Sequence, residues 1–214
     1  TYPDSTTAEQ AISIAEKYHL KLGNQARDLL EKETPKELEN VQSIVTGSVR
    51  QLCTAAADTA AQLGYEPTIL SASVCSEARE AGSILASVAQ YYRDSTKSLA
   101  FIVGGETVVH LTGSGLGGRN QELVLGAAKG IEGIQDVLIF SVGSDGTDGP
   151  TDAAGGWVDG QTMERLASAG LYLDDIMRNN DSYHALKEIG QLIITGPTGT
   201  NVNDLTCLLL KRGG

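Results

Sequence analysis

The chain has few cysteines, no long apolar run and no excess of positive charge, and each shortage closes off a class of protein. Its 214 residues include three cysteines, Cys53, Cys75 and Cys207. They are odd in number, far apart and in no Cys-x-x-Cys pair, which argues against a disulfide framework or a zinc site. All three are expected as inert core residues. No apolar stretch approaches the roughly 20 residues that a membrane span needs, and Thr1-Tyr2-Pro3-Asp4 lacks the basic and apolar regions of a signal peptide. A cytoplasmic protein is therefore the default expectation. The formal net charge of -11 disfavours a nucleic-acid or anionic-membrane surface, because neither binds without a positive field. There is no internal repeat, no low-complexity tract and no Gly-x-Ser-x-Gly nucleophile motif. The chain also starts without a methionine, so it is expected to be processed or a piece of something longer.

What is present is an alternation of strand-like and helix-like segments. Residues 6–32 read as helix opening on Thr6 with Glu9 as a capping box, broken near Gly23-Asn24. Val41 to Thr46 reads as a strand, Arg50 to Leu63 as an alanine-rich helix closed by Gly64, and Thr68 to Ala72 as a strand. A helix from Glu77 to Tyr92 and a strand from Leu99 to Val103 follow. This order is that of a parallel sheet with right-handed crossovers. The composition then shifts, with 4 of the 25 glycines in residues 1–100 and 21 in residues 101–214. A domain boundary is placed there, the first part reading as Rossmann-like parallel sheet and the second as a smaller α/β domain with a mixed sheet. Phe101 to Val103 and Val108 to Leu111 form either a hairpin or one bent strand around Gly104-Gly105-Glu106-Thr107. A helix begins at Arg119 with Leu123, Ala127 and Ile131 inward, and a buried strand spans Val137 to Val142. Asp159 caps a helix to Ala169, Asn180-Asp181-Ser182 opens a short helix to Ile189, and strands cover Leu192 to Thr195 and Leu205 to Leu210.

Four polar loops adjoin these strands. The loop Gly115 to Glu122 combines glycines, a helix N-terminus and Arg119, a setting suited to a carboxylate or phosphate. It lacks the dinucleotide fingerprint and the Walker lysine. In Ser144 to Asp152, Asp145, Asp148 and Asp152 place three carboxylates within eight residues. They repel unless solvated, hydrogen-bonded or shared with a cation, so the loop is a candidate metal or phosphate site; it reads equally as an Asp-Gly turn held by Asx hydrogen bonds. Asn180-Asp181-Ser182 has a helix cap as its plain reading. Gly196 to Asp204 offers only Val202 to a core, a composition suited to binding small polar ligands. Glu106 is the remaining candidate carboxylate, Trp157 a packing residue beside the acidic loop, and His19, His110 and His184 read as structural or exposed.

Taken together, Gly104-Gly105-Glu106-Thr107, Gly117-Gly118-Arg119-Asn120-Gln121-Glu122, Asp145 to Gly155, Asn180-Asp181-Ser182-Tyr183 and Gly196 to Asp204 resemble, in order, the C-terminal MOFRL-type region of the glycerate 2-kinases. The resemblance covers residues 40–210. Members of that family have often been labelled hydroxypyruvate reductases. It implies transfer of the ATP γ-phosphoryl group to the 2-hydroxyl of D-glycerate, giving 2-phosphoglycerate, with Mg2+ present. It casts Arg119 as an anion clamp, and Asp145, Asp148 or Asp152 as metal ligand or hydroxyl-orienting base, with Asp145 and Asp148 as the metal candidates and Glu106 beside them. Gly117, Gly118, Asn120, Thr147, Asn180, Asp181, Thr198, Gly199, Thr200, Asn201 and Asn203 become substrate- or phosphate-binding candidates. The residues do not choose among the three aspartates. A complete member is roughly twice this long and carries an N-terminal domain that supplies a lysine and one wall of the cleft. This chain is thus expected to be a C-terminal portion, inactive alone, with glycerate, a nucleotide and that domain as partners; a homodimer is left open.

Overall fold

The computed structural model describes residues 3–213, which divide into two compact units, residues 3–46 and 47–213. The first unit holds helices α1 (Ala8–Lys17) and α2 (Asn24–Leu30). The expected break between them is present, but the capping box is built from Thr7 and Gln10, one residue later than Thr6 and Glu9. Neither helix buries a residue. The strand expected at Val41 to Thr46 does not form: the segment is irregular, with Ile44 75% and Val45 69% exposed. A β-prone run without a pairing partner leaves its backbone groups to water, and propensity alone does not hold it extended.

The second unit is built on one six-stranded sheet. In chain order it contains α3 (Val49–Gln62), β1 (Glu66–Val74), α4 (Ala78–Tyr91), β2 (Leu99–Gly105), α5 (Arg119–Ala128), β3 (Val137–Gly143), β4 (Gly155–Asp159), α6 (Thr162–Ser168), α7 (Leu173–Asn179), α8 (Ser182–Glu188), β5 (Leu192–Ile193) and β6 (Asp204–Leu210). The strand order is β1-β2-β6-β3-β4-β5. Among the described strands β1 and β2 pair in parallel and the other strand pairings are antiparallel. The fold is therefore mixed α/β, with a single βαβ unit supplying its parallel part. Residue 100, where the glycine content changes, lies inside β2 and in the same sheet as β1.

Side chains alternate across the strands. Ile102 and Cys207 meet Cys53 of α3 on one face, while Phe101, Ile139 and Leu208 join α4 and α5 on the other. Leu123, Ala127 and Ile131 are buried as the helical period requires. Helices α4 and α5 cross closely at Gly82, where a Cβ would lie 2.0 Å from the Leu123 carbonyl oxygen. Cys53 and Cys207 are buried, and burial pushes the Cys207 thiol up to about 12. Cys75 is exposed, contrary to the core placement expected of it. No helix among the described residues is long and apolar enough to cross a membrane.

Two further expectations change. Residues 108–111 form neither a hairpin arm nor a continuation of β2; Val108 makes a lone parallel bridge to Glu77. Asp159 ends β4, and its Oδ1 accepts hydrogen bonds from the Gln161 amide and the Thr162 hydroxyl just before α6, while the strand it ends was not anticipated.

Candidate functional site

The sheet gathers the polar loops at one edge. β2 and β3 run the same way on either side of the antiparallel β6, so their C-terminal ends meet the start of β6. Gly105, Asp204 and Gly143 lie in register across the three strands. Glu106 leaves from the first, the acidic loop from the last, and the 196–203 loop arrives at the middle one.

Arg119 occupies the first turn of α5 and reaches this row. Its Nε donates to Asp204 Oδ2 at 2.5 Å and its Nη2 to Asp204 Oδ1 at 2.9 Å, a forked pair with a carboxylate that is 5% exposed. Glu106 Oε1 stands 3.7 Å from Nη2. The Asp204 hydrogen bonds hold the guanidinium above its ordinary pKa, against burial, with the Glu106 and Asp148 charges adding to the effect. A groove of about 780 Å3 opens in front, lined by Glu106, Thr107, Gly117, Gly118, Arg119 and Asn180 among others.

The three aspartates, equivalent in sequence, have three different surroundings. Asp148 is 1% exposed and accepts four hydrogen bonds: Oδ1 from the Asn120 amide and side chain at 3.1 and 3.2 Å, Oδ2 from the Gln121 amide and side chain at 2.9 and 3.1 Å. Those donors fill the lone-pair positions of a carboxylate and satisfy orphan N–H groups at the start of α5. Burial pushes the Asp148 carboxyl up while the four donors pull against it. Its geometry is that of a cap on the first turn of α5, with both oxygens engaged inside the protein. Asp152 is exposed and accepts the Tyr183 hydroxyl at 2.7 Å, tying the loop to α8. Asp145 is half-buried at the sheet edge; its Oδ1 accepts the Thr147 amide and hydroxyl at 3.0 and 3.1 Å, while Oδ2 meets only the Asn201 side chain at 3.4 Å.

Asp145 and the 196–203 loop form one unit. The Thr198 amide donates to the Asp145 carbonyl and its hydroxyl to the Ser144 carbonyl, the Ser144 hydroxyl accepts the Val202 amide, and the Ser144 amide donates to the Asn203 carbonyl. Asn203 holds a left-handed φ of 67°, Thr200 leans on the Thr198 hydroxyl, and Gly199 stands in open space. Thr147, Thr198, Asn201 and Asp145 are thus brought together.

The glycine-rich loop is used differently from an open anion cradle. A Cβ on Gly118 would lie 2.2 Å from Asp148 Cγ, and one on Gly117 would lie 2.0 Å from Ser182 Oγ. These glycines let loop, cap and α8 close on one another. Asn120 is buried, its amide bridging Asp148 and Ser141. Asn180, at a left-handed φ of 53°, accepts the Thr112 and Gly113 amides at 2.7 and 3.0 Å and donates to the His110 carbonyl and Glu122 Oε2. Glu122 in turn takes the Arg79 guanidinium at 2.8 Å. Asp181 accepts the Leu116 amide at 2.9 Å and pairs with His184. Asn180 and Asp181 therefore hold the loop's shape. Replacing Asn180 by alanine is expected to lower stability by about 2 kcal/mol, since the part-buried Thr112 and Gly113 hydrogen bonds are lost and the buried Glu122 carboxylate loses a partner; chemical denaturation measures it, and a loss below about 0.5 kcal/mol would contradict the assignment.

In the sequence Asp204 stands only as the end of a polar loop. It lies 85 residues from Arg119, and only the strand register brings the two together. Among the described residues no three His, Cys, Asp or Glu side chains converge as a metal cage. Mg2+, however, takes only one or two protein carboxylates and leaves the rest of its shell to water and phosphate. Asp145, with one oxygen nearly free, fits that demand more readily than Asp148, whose oxygens are each held by two donors.

The MOFRL family model matches residues 99–204, the span from β2 to the start of β6. The chain is 49% identical over 208 residues to a D-glycerate 2-kinase of Thermotoga maritima, covering 95% of this chain and 50% of the relative. It is 37% identical over 232 residues to a glycerate 2-kinase of Pyrococcus horikoshii, covering 100% and 52%. A crystal structure of glycerate kinase from Thermotoga maritima superimposes with a TM-score of 0.85 at 48% identity, covering 98% of this chain and 51% of that one. The chain spans about half the length of the curated relatives it matches. With motifs, sheet edge and relatives in agreement, residues 99–204 of this chain are a MOFRL family domain.

Proposed function

We propose that this chain is the C-terminal half of a glycerate 2-kinase and forms one wall of the cleft in which ATP phosphorylates the 2-hydroxyl of D-glycerate. The observation that carries the reading is the row Gly105, Asp204 and Gly143, a sheet edge from which Arg119, Glu106 and, through Gly149 and Pro150, the acidic loop line one groove, with Asp145 leaving the same edge beside it. Phosphoryl transfer demands positioning and charge stabilisation more than covalent chemistry from the protein.

Arg119 offers its unshared N–H groups to an anionic oxygen, either the glycerate carboxylate or a transferring phosphate. The Asp145 carboxylate faces the same edge and orients the attacking hydroxyl or holds Mg2+. Bound there with the nucleotide, Mg2+ supplies neutralisation of phosphate charge. Thr147, Thr198, Thr200 and Asn201 surround Asp145 and present hydroxyl and amide groups to substrate. The remaining half of the longer protein provides the opposite wall, including a lysine.

The test is product formation by the full-length protein. Incubation with ATP, Mg2+ and D-glycerate is expected to yield 2-phosphoglycerate, while NADH and hydroxypyruvate leave the absorbance at 340 nm unchanged. NADH oxidation without phosphorylation would replace this reading with a reductase.

A further inference from the structure

We infer that Asp204 is the positioning residue for Arg119, holding the guanidinium in the one orientation from which it can grip an anion in the groove; the inference rests on the reading of Arg119 as the anion clamp. A guanidinium has five N–H donors in a planar fork. Asp204 takes the Nε edge and one Nη2 hydrogen, at 2.5 and 2.9 Å. Nη1 has no hydrogen-bond partner among the described residues, and the side chain, 30% exposed, lines the groove. Three donors on the far side of the fork therefore remain for a ligand, with only the more exposed Glu106 near them, at 3.7 Å.

The anchor is stiff because of where it sits. Asp204 is the first residue of β6 and is laddered on both flanks, to Gly105 and to Gly143. A Cβ on Gly143 would stand 3.6 Å from Asp204 Oδ1 and 3.2 Å from Asp145 Oδ1, so the absence of a side chain there leaves room between the two carboxylates. Arg119 also occupies the N-terminal turn of α5, where a helix disfavours positive charge. The buried Asp204 carboxylate offsets that repulsion, and without it the long side chain is free to turn to solvent.

The experiment is a cycle in the full-length protein with Arg119→Ala, Asp204→Asn and the double variant, each assayed for ATP-dependent phosphorylation of glycerate and for its thermal midpoint. Asp204→Asn is expected to lower kcat/KM roughly 100-fold, the scale of a misplaced binding group, and to add less than about threefold in the Arg119→Ala background. Guanidinium ion at millimolar concentration is expected to restore part of the activity of Arg119→Ala and none of that of the double variant, because only Asp204 holds the added cation. A merely structural Asp204 would not gate that rescue. If Asp204→Asn fails to fold, Asp204→Glu, which keeps the charge but shifts it by one methylene, is expected to retain the fold with an intermediate loss. Full activity in Asp204→Asn beside a crippled Arg119→Ala overturns this inference alone. Rescue that persists in the double variant, or losses that simply add, overturns it as well. An active Arg119→Ala overturns the clamp and the inference together.

Discussion

Replacing Arg119 by alanine in the full-length protein is expected to lower kcat/KM for glycerate phosphorylation by roughly 100- to 1,000-fold. That is the range for removing one preorganised donor from a site of developing negative charge, about 3 to 4 kcal/mol of transition-state stabilisation. Two features of the structure place the effect at the large end. The fork is already held by Asp204, so little ordering is needed on substrate binding. Few other cations face the groove: among its lining residues Arg119 alone is basic. Arg119→Lys keeps the charge but not the fork and is expected to recover only a small part of the loss. Steady-state kinetics against both glycerate and ATP measure the change, and unchanged parameters in a folded Arg119→Ala protein would remove Arg119 from the site.

The second large effect falls on stability. Gly118→Ala is expected to destabilise the fold by about 3 kcal/mol or more, a value reached only by a short list of mechanisms that includes overpacking and broken buried networks. Its new Cβ would stand 2.2 Å from Asp148 Cγ and 2.4 Å from both carboxylate oxygens. The carboxylate cannot retreat without abandoning four hydrogen bonds to Asn120 and Gln121. Each buried donor left alone costs on the order of 1 to 3 kcal/mol, and all four surround the start of the helix that carries Arg119. Denaturant unfolding measures the loss; a Gly118→Ala protein as stable as the parent would mean that the cap is not packed as described. The control is Gly199→Ala, where nothing lies within 4 Å but φ is 78°; only the smaller strain of a left-handed alanine is expected there.

The elements differ in how legible they are in the sequence, for physical reasons. The helices α3, α4 and α5 and the strands β2, β3 and β6 were legible because period, caps and turn glycines agree with the tertiary packing. Val41 to Thr46 carried the same β pattern and formed no strand, since a pattern cannot announce whether a partner is available. β4 gave the opposite error. Its opening Gly155-Gly156 reads as loop, yet a Cβ on Gly155 would meet the Ser141 carbonyl oxygen at 1.9 Å, so close pairing with β3 requires the glycine that hides the strand.

The same division runs through the site. Asp145, Asp148 and Asp152 are alike in composition and spacing, and only the path of the loop turns one to the sheet edge, one under a helix and one to Tyr183. The glycines of 115–118 suggested an anion cradle, and close packing against Asp148 and Ser182 accounts for Gly117 and Gly118. Asp204 was hidden because its importance lies in register rather than in local motif. The family motifs nonetheless point to this edge, and loops at strand ends are where an open α/β sheet presents its ligand-binding groups.

On the proposed function, this chain supplies one wall of a glycerate kinase cleft and the remainder of a longer protein supplies the other. Phosphorus NMR of reactions containing ATP, Mg2+ and D-glycerate, run with the full-length protein and with the 214-residue chain, tests it most directly. The 2-phosphoglycerate resonance is expected with the full-length protein, and little or none with the 214-residue chain. Robust turnover by the chain alone, or no phosphorylated glycerate from the full-length protein, would contradict it.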